Sequence, residues 1–205
     1  IEAVVDENTV GVSFVNWAGV MPNLKEIYEF CQSRGIKLIQ DAAHSFMAEY
    51  NGQPICDFSD FTCFSFQAIK HFTCGDGGAL ISKDDSLHVK AKKLKWFGYD
   101  RDSSKDSQGN WKAQQAEADI ERDEVGYKFN MNNISAAIGL SNIPHIKRLM
   151  KKHQDNAELY FSIFESSKYI VPIKIQKQSK PVFWVFTIIL HNNELRDYLM
   201  NKLSE

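Results

Sequence analysis

The segment that most constrains this chain runs from Thr9 to Asp41. Thr9–Val15 is a β-branched and aromatic run that reads as a buried strand, and Asn23 can cap a helix over Leu24–Ser33. Arg34-Gly35 closes that helix, and Ile36–Gln40 supplies a second apolar strand ending at Asp41. Strand, helix and strand in this order make a parallel crossover unit, because parallel strands need a long connection. A chain with such a unit reads as α/β, with a mostly parallel sheet flanked by helices. Ligands of open α/β sheets bind beyond the carboxyl ends of the strands, so Asp41 and its successors stand where chemistry is expected.

Downstream, Phe61–Phe66 and Gly77–Ser82 read as a third and a fourth strand, followed by a helix from Asp84-Asp85 to about Trp96. Residues 100–124 are polar and without period, which predicts a long surface loop. From Asn132 the apolar residues return at helical spacing, through Ile134, Ile138, Ile146, Met150, Ala157 and Phe161, with Pro144 opening a new helix rather than breaking one. After Lys168, two apolar runs, Ile170–Ile175 and Phe183–Leu190, and a helix over Asn193–Leu203 read as the opening of a second domain.

Charge excludes some partners. With 24 Lys+Arg against 26 Asp+Glu the net charge is −2, which gives no reason to expect nucleic acid or an anionic membrane as partner. Apolar runs such as Val182–Leu190 fall well short of the roughly 18 residues of a spanning helix. Cys31, Cys56, Cys63 and Cys74 show no Cys-x-x-Cys pairing and read as reduced, packed thiols, which suits a cytoplasmic location. The first residues carry no secretion signal and no starting Met, and the expectation is a piece of a longer chain.

The chemistry concentrates in Asp41-Ala-Ala-His44 and in the block from Phe64 to Gly78, where Ser65 precedes Lys70 by five residues and a Gly-rich turn follows. A pyridoxal phosphate enzyme needs a lysine for the Schiff base, a carboxylate against the ring nitrogen, a stacking side chain and donors for the phosphate. Each residue also has a plainer reading. Asp41 can be a turn former, His44 a satisfied core histidine, Lys70 a surface charge, and Gly75–Gly78 a tight turn before a strand. His44, His71 and the nearby cysteines lack metal-binding spacing, so no metal site is expected. Taken singly, these residues stop at an α/β domain with a candidate ligand site.

The ordered set is more specific. Asp-Ala-Ala-His, Cys-Phe-Ser-Phe-Gln-Ala-Ile-Lys-His, Thr-Cys-Gly-Asp-Gly-Gly, Lys-Trp-Phe-Gly-Tyr-Asp-Arg and Gly-Tyr-Lys-Phe-Asn-Met-Asn-Asn-Ile-Ser-Ala-Ala-Ile-Gly resemble, together and over nearly the whole chain, the DegT/DnrJ/EryC1/StrS family of sugar aminotransferases. The resemblance implies the fold type I architecture of the aspartate aminotransferase superfamily, with pyridoxal 5′-phosphate as cofactor. It further implies a homodimer that moves an amino group, usually from glutamate, to a keto group of a nucleotide-linked sugar, as in polysaccharide biosynthesis. By position, Lys70 resembles the Schiff-base lysine and Asp41 the partner of the pyridine nitrogen. His44 resembles the residue that stacks on the ring, Ser65 the hydroxyl on the phosphate, and Gln67 the residue beside it. Asn130 resembles the segment that reaches the phosphate of the partner subunit's cofactor. On this pattern residues 1–143 are the later half of the cofactor-binding large domain, and 144–205 are a linking helix and the beginning of the small domain.

The family's phosphate site also uses a Gly-Thr or Gly-Ser turn at a helix N-terminus, upstream of the first strand here. Family members also continue past a segment like Asn201-Lys202-Leu203, so the expectation is a chain truncated at both ends, with at most weak cofactor binding of its own and an open sheet edge that favours pairing. Two rivals stay open: a non-catalytic fragment, and a relative of the sugar dehydratases that use the aminated cofactor and carry His where transaminases carry Lys. Lys70, rather than His71, stands at that position and favours amino transfer.

Overall fold

The structure, a computed structural model, describes residues 1–101, 103, 105–110 and 124–205. The surface loop expected over 100–124 lies for its greater part outside them. β1 (Gly11–Val15), α1 (Leu24–Ser33) and β2 (Lys37–Asp41) form the expected crossover, with β1 and β2 parallel and Val15 opposite Asp41. The helix ends where Gly35 takes φ +68°, a left-handed value that costs glycine little, and Ile36 N–H turns back to Cys31 O at 2.9 Å.

Two local expectations are corrected. Asn23 stands at the start of α1, yet its side chain caps no helix N–H: Tyr50 OH donates to its Oδ1 at 2.7 Å, and its Nδ2 donates to Glu26 at 2.7 Å. A buried phenol needs an acceptor, and Asn23 supplies it instead of capping. Nor is β1 buried. Among the described residues it lies at the sheet edge, paired with β2 alone, and Val15 is 46% exposed.

β3 (Glu49–Tyr50) and β4 (Gln53–Pro54) form a short antiparallel pair before β5 (Phe61–Ser65), which lies parallel to β2. β6 (Gly78–Ser82) runs antiparallel to β5, giving the order β1-β2-β5-β6 in a mostly parallel sheet. α2 (Asp85–Leu94) begins where the Asp84 carboxylate accepts from Ser86 and Leu87 N–H, and α3 (Asn133–Asn142) where Asn132 accepts from Ser135 N–H. Pro144 sits in one tight turn, Ile143–His145, that leads straight into α4 (Ile146–Phe164). β7 (Ile170–Pro172), β8 (Ser179–Lys180), β9 (Ile188–Leu190) and α5 (Asn193–Leu203) follow.

The apolar run at Phe183–Leu190 is strand only from Ile188, because Phe183 takes φ +50° and breaks the extended path. Contacts also cross the expected division at 143/144. β8 pairs with β3, and Ile146, Met150 and Val182 pack into one core with Met21, Leu24, Tyr50 and Phe72.

Behind β1 and β2 the buried Gln40 uses both ends of its amide. Asn16 Nδ2 donates to its Oε1 at 2.6 Å, and its Nε2 donates to Ile55 O at 3.0 Å. Gln40→Leu keeps the volume but leaves both partners unpaired in the core, so denaturant titration should show a loss of about 3 kcal/mol. A loss under about 0.5 kcal/mol would mean that this network does not hold the strand ends.

Candidate active site

Asp41 is the last residue of β2, and its Oδ1 accepts from Ala43 N–H at 3.0 Å, so the turn-forming reading is realised. Its second oxygen has no protein donor among the described residues. The turn carries His44 inward, where the ring is 6% exposed and its Nδ1 accepts from Ala18 N–H at 3.2 Å. A ring nitrogen that accepts is unprotonated, so the neutral imidazole holds its proton on Nε2, as a donor. Burial, and secondarily the Lys70 charge, hold His44 below the usual histidine range against the pull of Asp41, which keeps it neutral near pH 7.

Ser65 ends β5 beside β2, and Lys70 follows on a turn closed by Lys70 N–H to Gln67 O at 2.9 Å. Ser65 Oγ accepts from Gln67 N–H at 3.4 Å, and Gln67 Oε1 accepts from Ile69 N–H at 3.2 Å. Both side chains are thereby held through their acceptors. The Ser65 hydroxyl proton and the Gln67 amide hydrogens have no protein acceptor among the described residues. Gly77 and Gly78 return the loop to the sheet, with Phe66 N–H on Gly77 O at 2.7 Å, and a Cβ at Gly78 would stand 2.5 Å from Phe64 O. The Gly-rich turn is seen here closing a loop.

The Lys70 amine lies 3.9 Å from the centre of the Trp184 ring, and Trp184 in turn stacks on His44 with centroids 4.0 Å apart and planes at 20°. Burial pushes the amine below the usual lysine range, and Asp41 is close enough to oppose the shift. Asp41, His44 and Lys70 therefore share one site at the carboxyl ends of β2 and β5, with Ser65 and Gln67 on its β5 side. Asn130 does not join them: it lies by Lys128, with its Oδ1 accepting from Lys128 Nζ at 3.5 Å, in a groove with Asp76, Gly77 and Gly78.

Sequence reasoning passed over the two indoles that frame His44, Trp184 on its face and Trp17 edge-on at 5.0 Å. Trp184 sits in a run whose plain reading is a strand, so its residue type alone carried no signal. The stacking surface expected of His44 is in part taken by Trp184. Among the described residues no three His, Cys, Asp or Glu side chains converge for a metal, no helix is long and apolar enough to cross a membrane, and the four cysteines are free.

His71, next to Lys70, is buried, donates from Nε2 to Val182 O at 3.2 Å and meets His153 edge-on at 4.6 Å. Burial, and then His153, push its pKa down to about 4. The unfolded chain takes up that proton near pH 6.5 and the folded chain only near 4. The stabilisation is therefore complete above about 6.5 and is lost as pH falls from there to 4, by roughly 3 kcal/mol. Thermal melts across that range should show the loss, and His71→Phe should flatten it; an unchanged slope in the variant would assign the acid lability to other groups.

The donor set suits pyridoxal phosphate: a strand-end carboxylate with a free oxygen for a ring nitrogen, a neutral imidazole N–H, a half-buried amine, and uncommitted hydroxyl and amide hydrogens for an anion. The profile of the DegT/DnrJ/EryC1/StrS aminotransferase family matches residues 1–205. The chain belongs to the DegT/DnrJ/EryC1/StrS aminotransferase family. It is 27% identical to the UDP-4-amino-4,6-dideoxy-N-acetyl-beta-L-altrosamine transaminase of Helicobacter pylori, over 93% of this chain and 48% of that protein. It is 28% identical to the GDP-perosamine synthase of Escherichia coli O157:H7, over 100% of this chain and 52% of that protein. Among solved structures, E. coli GDP-4-keto-6-deoxy-D-mannose-3-dehydratase with bound hydrated PLP superposes with a TM-score of 0.85 at 22% identity, over 99% of this chain and 53% of that one. The chain thus spans about half the length of the curated relatives it matches, and the last likeness shows the fold alone.

Proposed function

We propose that this DegT/DnrJ/EryC1/StrS chain forms the lysine-bearing part of a pyridoxal 5′-phosphate-dependent aminotransferase acting on a nucleotide-linked keto sugar, with glutamate as donor. The observation that carries the reading is the Lys70 amine, half-buried beside Asp41 and His44 at the ends of parallel strands. The cofactor, when bound, supplies an electron sink that lets a proton leave the carbon bearing nitrogen. Asp41 would hold the ring nitrogen protonated through its charge, and Ser65 and Gln67 would donate to the phosphate. Lys70 would hold the cofactor through its primary amine, and the same amine, once released, would be placed to move a proton at the reacting carbon. His44 offers its Nε2–H, and the stacking role falls on the part of its ring that Trp184 leaves.

The names of the curated relatives, acting on UDP- and GDP-linked sugars, support the substrate class. The dehydratase reading is less well supported because a lysine, able to exchange with a second amine, stands where chemistry is placed. Incubating the intact protein with glutamate and a nucleotide-linked keto sugar should give 2-oxoglutarate and an amino sugar. A deoxygenated sugar with no amine transferred would overturn the assignment in favour of dehydration.

The same reading includes a homodimer in which Asn130 reaches a second subunit's phosphate. Its support is the apolar exposure beside Asn130 and along α3: Phe129 is 75%, Ile134 76% and Leu140 68% exposed. Ile134→Asp with Leu140→Asp should shift sedimentation from dimer to monomer and weaken cofactor retention. A wild-type monomer would sink the proposal.

A further inference from the structure

The segment Pro181–Trp184 crosses the site as a strap, held through three of its carbonyls and its indole N–H. Gln154 Nε2 donates to Pro181 O, His71 Nε2 to Val182 O and His153 Nδ1 to Phe183 O, each at 3.2 Å, while Trp184 Nε1 donates to Ile69 O at 3.0 Å. Val182 is 1% exposed in the core, and Phe183 is held at φ +50°. Below the strap, Gly19 leaves the space of a missing Cβ, which would lie 2.8 Å from both Phe183 N and His44 O. A segment fixed by donors from α4 and from the residue after Lys70, and by an acceptor on the residue before it, delivers one side chain to the site: the indole that lies against the Lys70 amine and the His44 ring.

We propose that Trp184 is a positioning residue for Lys70, and that the clasped strap exists to hold its ring face against the amine. The inference rests on the reading of Lys70 as the reactive amine and deepens it. The long, flexible lysine side chain would otherwise sample many rotamers, and an ammonium or amine resting on an indole face is confined to one region over the site. The anchor is local, because the Ile69 carbonyl that fixes the indole belongs to the residue before the lysine. Amine and ring therefore move together when the turn moves. His44 stacks on the same indole, so the ring bridges the imidazole and the amine without a hydrogen bond between them.

The test is trace labelling of lysines in the intact protein with acetic anhydride, read residue by residue by mass spectrometry, while thiol labelling of the buried Cys31 and Cys74 reports on the fold. Trp184→Ala should raise the Lys70 rate about fivefold, the loss of a ring-face contact of ordinary strength. Trp184→Phe, which keeps a ring face, should restore most of the protection. His153→Ala, which removes a donor to the strap from α4, should give a smaller rise by loosening it. An unchanged Lys70 rate in Trp184→Ala with both thiols still protected would overturn the proposal, as would Phe failing to restore protection. If the Ala variant exposes the thiols, Trp184→Leu decides by the same rule, since it fills the space without an aromatic face. The label needs no cofactor, so a Lys70 that proved inert toward pyridoxal phosphate would sink the functional reading and leave this result intact.

Discussion

Lys70→Ala should reduce amino transfer by the intact protein at least about a thousandfold, because the exchange of amines and the proton shuttle both pass through this one primary amine. Neither neighbour can replace it. His44 has its Nδ1 engaged by Ala18 and carries a single N–H, and His71 is turned away from the site to Val182. His71→Ala gives the contrasting result: cofactor attachment persists, while stability falls by about 2 kcal/mol because Val182 O loses its donor in the core. Steady-state rates with glutamate, beside denaturant midpoints, separate the two. Loss of rate in Lys70→Ala of tenfold or less would mean that the amine is not the reacting group.

The largest effect on the fold is expected at Gly19. Its φ of +87° lies where a side chain is strained, and a Cβ there would press on backbone at Phe183 N and His44 O, which no rotamer change can relieve. Gly19→Ala should therefore cost about 3 kcal/mol or more, and its signature is specific. Pushing the strap from the His44 turn separates Trp184 from Lys70, so the melting temperature should fall and Lys70 should become labelled faster in the protein that remains folded. A melting temperature within experimental error of wild type would show that the strap does not pack as described.

The parts of this structure that are legible in the sequence are those decided locally. Gly35 closes α1 because a left-handed residue is needed there, Asp84-Asp85 opens α2 as an acidic helix start, and Asp41 falls at a strand end because the apolar run stops before it. What was not legible depends on partners far along the chain. Asn23 is drawn from capping by a phenol at position 50, and β1 is exposed because nothing in its own residues says that it has a single neighbour. The site divides in the same way. Asp41, His44 and Lys70 stand out by order and spacing, whereas Trp184 reaches them from a segment more than a hundred residues later, through carbonyls at positions 69, 182 and 183 that no side-chain pattern reveals.

The central claim is that Lys70 is the amine that bonds pyridoxal 5′-phosphate. The most direct test is to titrate the intact protein with the cofactor, reduce with borohydride and map the modified peptide by mass spectrometry. The mass added should fall on Lys70 alone, at one equivalent per chain, and vanish in Lys70→Ala; a reduced adduct on another lysine, or none at saturating cofactor, would contradict the assignment.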